Sequence, residues 1–230
     1  MARILIIIPA YNEEESLPGV IQDLRTRFAE GDILVVNDGS RDRTAEKARQ
    51  EGVAVVTLPF NLGIGGAVQT GYRYARAKGY DIAVQFDGDG QHMAAEIPAL
   101  LAPVIAGRAD LAVGSRFLTP GSYRPPFFRK IGIRVFSNVL SAMLGMRVTD
   151  TTSGFRAANR KAIAFFERGY PEDYPEVESL VLLHRGGRVI EEVPVSMRDR
   201  TGGKSSITPI RSVYYMIKVL LAVFIDVLKK

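Results

Sequence analysis

Two aspartates, Asp87 and Asp89, follow an apolar run that ends at Phe86, and each is followed by a glycine. On an extended backbone, residues i and i+2 point to the same side, so the two carboxylates can converge on one cation. The amide oxygen of Gln91 falls on that side as well. Hard oxygen ligands at the end of a buried strand suit Mg²⁺ or Mn²⁺ holding a diphosphate, although a surface Asp-Gly turn would use the same residue types.

The flanking sequence predicts the elements that must position this pair. Short apolar runs alternate with stretches of helical character up to about residue 115. This alternation indicates βαβ units and a Rossmann-like α/β fold, in which a mostly parallel sheet is flanked by helices. The predicted strands span 4–8, 33–36, 53–57, 82–86 and 111–113. Four helices are predicted in this part of the chain. The first lies within 12–28, the second begins after Ser40 as its N-cap, and the other two span 65–78 and 96–105.

Beyond residue 115 the alternation fails. A long helix is predicted over 127–144, after a loop rich in proline and glycine. The segment 149–154 is polar and is expected to be flexible. Further helices are predicted over 161–168 and 176–185, followed by a late pair of strands over 189–195 that Pro194 interrupts.

Polar clusters follow three of the predicted strands, at the point where each strand ends. They comprise residues 12–14, 37–40 and 87–89. In α/β sheets, ligands bind beyond the carboxyl ends of the strands. Three such clusters on one edge of one sheet predict a functional cleft there.

Composition narrows the classes of function. The chain has 230 residues, 47% of them hydrophobic, which suffices for one large domain with a full core. It has no cysteine and two histidines, which excludes disulfides, thiolate metal sites and a His-rich metal site. The net charge of +5 suits nucleic acid, membrane lipid or phosphorylated substrates. No stretch reaches the roughly 20 uninterrupted apolar residues that a spanning helix needs.

The tail, residues 207–230, differs from the domain at 1–206. It is mostly apolar, with Lys218 and Asp226 on one narrow helical stripe, and this predicts an amphipathic helix. Such a helix can lie in the membrane interface, with its lysines reaching the headgroups. The alternatives are a small integral membrane protein as its partner, packing on the domain, or a homo-oligomer formed through the same helix.

Several motifs in fixed order carry a resemblance to a known family. They occupy residues 8–14, 36–44, 87–92 and 113–117, with further support at 152–156 and 200–206. In these motifs the chain resembles the family 2 glycosyltransferases of the GT-A fold. Within that family it is most similar to the polyprenyl-phosphate glycosyltransferases, the dolichyl-phosphate mannose synthase-like group. That group often carries one or two pairs of spanning helices after the catalytic domain, or none, whereas this chain has a single interrupted amphipathic segment.

The resemblance implies a site for a nucleotide sugar. It places base and ribose contacts at Pro9, Tyr11, Glu13 and Asp38. It also implies that Asp87 contacts the ribose or the metal, that Asp89 ligates Mg²⁺ or Mn²⁺, and that Gln91 completes the metal site. His92 is expected to support the metal ligands or the fold, rather than to bind the metal itself. The glycine-rich loop 61–66 serves either close approach to the nucleotide or tight packing.

The acceptor implied by the resemblance is a polyprenyl (undecaprenyl or dolichyl) phosphate. Its oxygen is already anionic near pH 7, so it needs cationic clamps rather than a general base. The implied reaction inverts the anomeric carbon at the cytoplasmic face of the membrane, with the enzyme bound peripherally. A UDP-sugar is the favoured donor and GDP-mannose the alternative. Asp89, Arg116, Arg200 and Lys204 are the predicted catalytic residues, and the predicted acceptor-phosphate residues are Arg129, Arg134, Arg200, Lys204 and Ser205.

Other functions use the same sequence differently. A transferase that acts on a glycan hydroxyl would need a carboxylate base, and the segment 170–176 offers Asp173 or Glu176. Asp150 is a weaker acceptor-side candidate. A non-catalytic scaffold would not need Asp87, Asp89 and Gln91. Nucleic-acid binding is not expected, because the chain has no surface motif that combines aromatic and basic residues.

Overall fold

The fold is that of a computed structural model, which describes residues 2–118, 127–172 and 174–198, with the backbone alone for 127–132. Asp173, Arg200, Lys204 and Ser205 therefore lie outside the described residues, as does the predicted tail helix at 207–230. Within the described ranges, no helix is both long enough and apolar enough to cross a membrane.

Strands and helices alternate along most of the described chain. The strands are β1 (Ile4–Ala10), β2 (Gly31–Asn37), β3 (Ala54–Thr57), β4 (Ile82–Gln85), β5 (Leu111–Ser115), β6 (Arg156–Asn159) and β7 (Ile190–Pro194). The helices are α1 (Leu17–Arg27), α2 (Thr44–Gln50), α3 (Gly63–Ala77), α4 (Ile97–Ile105), α5 (Phe127–Leu144), α6 (Arg160–Phe166) and α7 (Pro175–Arg185).

The described strands form one sheet in the order β3-β2-β1-β4-β6-β5-β7. Strands β3, β2, β1 and β4 are mutually parallel, and β5 is parallel to β7. Strand β6 alone runs antiparallel to its neighbours, β4 and β5. The predicted mostly parallel α/β sheet is therefore confirmed, with one reversed strand inserted near the centre.

Packing on both faces of the sheet explains why its central strands are continuous apolar runs. Along β1, Leu5 and Ile7 enter a core with α3, α6 and α7, whereas Ile4, Ile6 and Ile8 enter a second core with α1 and α4. A strand covered by helices on both sides has no solvent face to be polar, so alternation disappears from its sequence.

Three sequence-based expectations need correction. The sequence does not predict strand β6, because four residues reading Arg-Ala-Ala-Asn carry no β-branched side chain. The late pair of strands is one strand, β7, which ends at Pro194 and pairs only with β5 among the described strands. Helix α2 begins at Thr44 rather than at Ser40, because the Asp42 carboxylate accepts the Thr44 N–H at 3.0 Å.

Candidate functional site

The loops that follow β1 and β2 are joined by hydrogen bonds. The Asn12 N–H donates to Ser40 Oγ at 3.0 Å, and the Arg41 N–H donates to Asn12 Oδ1 at 2.9 Å. The Glu13 N–H donates to Thr44 Oγ1 at 2.8 Å. Two of the predicted polar clusters therefore meet at one edge of the sheet, as expected from the parallel strand order.

Asp38 holds the glycine-rich loop against this edge. Its carboxylate is 3% exposed and accepts the N–H groups of Leu62 at 2.7 Å and Gly63 at 2.9 Å. Gly39 beside it has φ +66, and a Cβ there would lie 2.7 Å from the carbonyl carbon of Phe60. Glycine is required at this position both for conformation and for space. Asp38 thus positions the loop, and base recognition by the same carboxylate stays a prediction.

The remaining predicted donor contacts surround the same edge. Pro9 is buried within β1, and Tyr11 just beyond it is 42% exposed. The Glu13 carboxylate accepts from Ser16 Oγ at 2.6 Å. Gly65 at the start of α3 packs so closely on the 171–172 backbone that a Cβ would lie 2.2 Å from the Pro171 oxygen. Of the two predicted duties of the loop 61–66, tight packing is therefore the one that the structure shows.

Asp87 and Asp89 lie just past the end of β4, on the same edge. Asp89 is 7% exposed, and its Oδ1 accepts the Gln91 N–H at 3.1 Å. Asp87 is more open, with a side chain that is 32% exposed. Its Oδ1 lies 3.5 Å from Gln85 Nε2 and its Oδ2 lies 3.5 Å from His92 Nε2. The Asp87 carboxylate therefore has no short hydrogen bond in the described structure and keeps lone pairs for a ligand.

His92 supports this loop from beneath. Its Nδ1 accepts the Asp87 N–H at 3.0 Å, and its ring stacks on Phe155 with centroids 4.8 Å apart. Burial lowers the pKa of His92, and this outweighs the opposing effect of the nearby Asp87 and Asp89 charges. The imidazole is therefore neutral at pH 7, with its proton on Nε2. Its position matches the structural role expected from the sequence.

The donor set fits a hard divalent cation. Among the described residues there is no group of three or more His, Cys, Asp or Glu side chains that could enclose a metal ion. Within the described part of the chain, the candidate ligands are therefore the two carboxylates and the Gln91 amide. Mg²⁺ is typically bound by one or two carboxylates together with substrate phosphates, so this sparse set is what a metal–diphosphate site requires.

Arg116, predicted as a phosphate clamp, forms a buried ion pair. Its Nε and Nη2 donate to the two oxygens of Asp150 at 2.7 and 2.8 Å, and Nη2 also donates to Thr152 Oγ1 at 2.8 Å. Asp150 is 0% exposed. The Glu192 carboxylate on β7 accepts the N–H groups of Thr149 and Asp150. Asp150 is therefore the buried partner of Arg116, and this pairing argues against a role as the acceptor-side base. The segment 149–154, expected to be flexible, is largely buried and hydrogen-bonded.

Arg156 has no individual role that the sequence alone predicts. It is 1% exposed and donates to the Ser153 carbonyl, to Ser179 Oγ and to the Glu176 carbonyl. Its partners lie far apart along the chain, so only its place in the motif 152–156 marks it in the sequence. Desolvation raises the pKa of the neighbouring Glu176, Arg156 opposes that rise, and the Asp87 charge adds to it.

The other predicted acceptor residues are only partly described. Arg134 lies on the exposed side of α5, and Arg129 lies in the stretch of α5 for which only the backbone is described. The chain that leads to Arg200 is anchored beside the aspartate pair, because the Arg198 N–H donates to the Gln91 carbonyl at 2.9 Å. Met197 also forms an isolated antiparallel bridge with His92.

Known proteins share sequence with this chain over most of its length. A family model described as glycosyl transferase family 2 matches residues 5–165. The chain is 35% identical over 218 residues to the undecaprenyl-phosphate mannosyltransferase of Micrococcus luteus, covering 90% of this chain and 88% of that protein. It is 32% identical over 216 residues to the polyprenol monophosphomannose synthase of Mycolicibacterium smegmatis, covering 90% and 81%. It is also 32% identical over 212 residues to a UDP-N-acetylglucosamine–dolichyl-phosphate N-acetylglucosaminyltransferase of Methanococcus voltae, covering 84% of each.

A solved structure shares the fold. Glucosyl-3-phosphoglycerate synthase from Mycobacterium tuberculosis, in complex with Mn²⁺, UDP and glucosyl-3-phosphoglycerate, superimposes with a TM-score of 0.72 at 23% identity. The match covers 98% of this chain and 80% of that one. The GT-A type of α/β fold that the motifs implied is thereby confirmed.

Proposed function

The chain belongs to glycosyl transferase family 2, and we propose that it transfers a sugar from a nucleoside diphosphate sugar to a polyprenyl phosphate. The observation that carries this proposal is the pair Asp87 and Asp89, which lies on the strand-end edge beside the loops of Asp38 and Glu13. The named activities of the relatives from Micrococcus, Mycolicibacterium and Methanococcus support a polyprenyl phosphate acceptor.

On the donor side, Tyr11 and Glu13 offer contacts to base and ribose, and Asp38 fixes the loop that borders them. Asp87, Asp89 and Gln91 would hold a divalent cation, which would supply the positive charge that neutralises the diphosphate of the donor and its leaving group. A UDP-sugar is the favoured donor and GDP-mannose the alternative. The solved relative that contains Mn²⁺ and UDP supports both the metal and the base.

On the acceptor side, a phosphate oxygen of the lipid attacks the anomeric carbon. The carbon–oxygen bond to the diphosphate breaks, and its electron pair leaves with the nucleoside diphosphate. The attacking oxygen carries no proton near pH 7, so no base is needed, and one in-line displacement inverts the anomeric centre. We assign the clamping of the two phosphorylated substrates to Arg116, Arg129, Arg134, Arg200, Lys204 and Ser205. The anchoring of Arg198 on Gln91, two residues before Arg200, supports this assignment.

We further propose that the reaction takes place at the cytoplasmic face of the membrane, where the enzyme meets its lipid acceptor. Residues 1–206 would form the catalytic domain, and 207–230 would hold it on the bilayer or on a small membrane protein. Undecaprenyl phosphate is the acceptor to test first, because it is the lipid in the name of the Micrococcus relative.

A donor screen tests the proposal. Purified protein, undecaprenyl phosphate and Mn²⁺ or Mg²⁺ are incubated with single nucleotide sugars, and the lipid extract is analysed by mass spectrometry. We expect one donor to give a glycosyl-phosphate lipid that disappears with EDTA and with Asp89→Asn, which keeps the size of the side chain and removes its charge. Donor hydrolysis without any sugar-lipid product would overturn the proposed acceptor.

One observation favours a second function, transfer to a glycan hydroxyl. Desolvation raises the pKa of Glu176 above its ordinary value, and this is the direction that favours proton uptake by a carboxylate base. Glu176→Gln distinguishes the two. With a phosphate acceptor the variant keeps most of its turnover, whereas loss of a general base lowers turnover by about 10²–10⁴-fold.

A further inference from the structure

Gly154 touches the aspartate that the proposed function assigns to the metal. A Cβ built on Gly154 would lie 3.0 and 3.1 Å from the two carboxylate oxygens of Asp87, and 2.9 Å from Gln85 Nε2. These distances are shorter than ordinary contacts of a Cβ atom. Gly154 is not among the residues with positive φ, so its backbone does not demand glycine. A Cβ at this position would instead displace the ends of the Gln85 and Asp87 side chains.

Gln85 also lies beside the Asp87 carboxylate. It is 2% exposed, lies at the end of β4, and pairs across the sheet with Arg156. Its Nε2 lies 3.5 Å from Asp87 Oδ1, and its Oε1 is buried without any hydrogen-bond partner among the described residues. A buried amide oxygen without a partner costs folding free energy. A residue that carries such a cost beside a functional carboxylate suggests a functional reason for its presence.

Arg156 holds the backbone beside Gly154 in place. Its Nε donates to the Ser153 carbonyl at 2.9 Å, in the residue just before Gly154. Its two terminal nitrogens are bound to Ser179 Oγ and to the Glu176 carbonyl, both in α7. The Gly154 backbone is therefore fixed to α7 through a side chain that is 1% exposed. An added Cβ at Gly154 would therefore push on the Asp87 side chain, while the hydrogen bonds of Arg156 hold the neighbouring backbone in place.

We infer that Gly154 and Gln85, braced by Arg156, set the orientation in which the Asp87 carboxylate meets the metal ion. They are positioning residues, because they act on the metal only through Asp87. This inference rests on the proposed function, in which Asp87 is a metal ligand. It gives strand β6 and the motif 152–156 a specific role, the support of a ligand in the loop that follows β4.

Metal binding tests the inference without recourse to turnover. Free Mn²⁺ is titrated by electron paramagnetic resonance in the presence of UDP, and in parallel of GDP, with wild type, Gly154→Ala and Gly169→Ala. Gly169 is the matched control, because its added Cβ meets nothing within 4 Å and its φ is not positive. Loss of a group that orients a metal ligand costs about 10–100-fold in affinity, so we expect Gly154→Ala to weaken Mn²⁺ binding at least about tenfold. Gly169→Ala should bind as wild type does.

Gln85→Met separates positioning from structural support. It removes the unpartnered oxygen, so the thermal midpoint should stay equal or rise, while Mn²⁺ binding weakens by less than in Gly154→Ala. A lower midpoint with unchanged Mn²⁺ affinity would mean a structural role and would overturn the inference. This variant decides the matter if Gly154→Ala does not fold.

The results of the Mn²⁺ titration distinguish a failure of the inference from a failure of the proposed function. Wild type that binds Mn²⁺ with nucleotide, beside a folded Gly154→Ala that binds equally well, overturns the inference alone. Wild type that binds no Mn²⁺ with either nucleotide overturns the proposed function, and the inference falls with it.

Discussion

The buried ion pair between Arg116 and Asp150 gives a quantitative test of how the cleft is built. Asp150 is 0% exposed and receives the guanidinium through two hydrogen bonds of 2.7 and 2.8 Å. The N–H groups of Arg116 and Thr152 also donate to this carboxylate, at 3.2 and 3.3 Å. The Thr152 hydroxyl donates to it as well, at 3.3 Å. Asp150→Ala therefore removes the acceptor of five donor groups and leaves a cavity beside a largely buried cation.

The expected loss follows from the burial of the pair. Removing one partner of a buried pair costs about 3–5 kcal/mol. The lower end applies, because the Arg116 side chain is 17% exposed and keeps its bond to Thr152 Oγ1. We expect about 3 kcal/mol, which in a domain of this size lowers the melting temperature by roughly 6–12 °C.

Urea denaturation followed by circular dichroism measures this loss, with an unchanged slope as the sign that only stability has changed. The double variant Arg116→Met with Asp150→Leu is the control, since replacing both charges of a buried pair by apolar side chains is often neutral. We expect it to recover most of the stability lost by Asp150→Ala. A loss below about 1 kcal/mol in Asp150→Ala, or a double variant as unstable as the sum of the single variants, would refute the reasoning.

Three further predictions concern conformation and pH. Gly39→Ala should destabilise the protein more than Gly107→Ala. Both glycines have positive φ, but only a Cβ at position 39 would meet the backbone of Phe60. The thermal midpoints of the two variants measure the difference, and equal losses would exclude the clash. Desolvation, followed by the hydrogen bond to Asp32, raises the pKa of Tyr80 to about 12, so its contribution to stability is complete below pH 10 and is lost as the pH rises through 12. Tyr80→Phe should therefore show a shallower loss of urea midpoint between pH 10 and 12, and an unchanged slope would contradict the shift. Desolvation also raises the pKa of Glu176, so the folded state holds that proton above the ordinary value of 4.5 and stability falls as the pH rises past it. Glu176→Gln should lack this fall, and parallel pH profiles of wild type and variant would show that the pKa is not raised.

The sequence alone predicts the buried strands and the edge of the sheet where the site lies, because both depend on residues that are close together in the chain. Strands β1 and β2 are covered by helices on both faces, so their apolar residues form continuous runs that predict buried strands. The polar residues after β1, β2 and β4 can be placed on one edge because parallel strands end together. Strand β6 cannot be found in this way. Ala157 and Ala158 are 0% exposed, yet alanine has little preference for strands, and the strand exists because β4 and β5 pair with it from both sides.

Among the site residues too, some features can be predicted from the sequence and others cannot. The residue types of Asp87 and Asp89 and their spacing suffice to suggest a metal. The partner of Arg116 lies 34 residues away along the chain, and the partners of Arg156 lie up to 23 residues away, so neither pairing follows from local spacing. The sequence predicts that Asp38 contacts the base, but only the folded chain shows its carboxylate holding the loop at Leu62 and Gly63.

Acceptor choice tests the central claim most directly. Undecaprenyl phosphate and undecaprenol, which share the same chain and differ only in the phosphate, are offered to the wild-type protein in matched vesicles with Mn²⁺ and the active donor. We predict sugar transfer to the phosphate lipid and none to the alcohol, because the proposed displacement uses an anionic oxygen and no base. Equal or faster transfer to the alcohol would contradict the account.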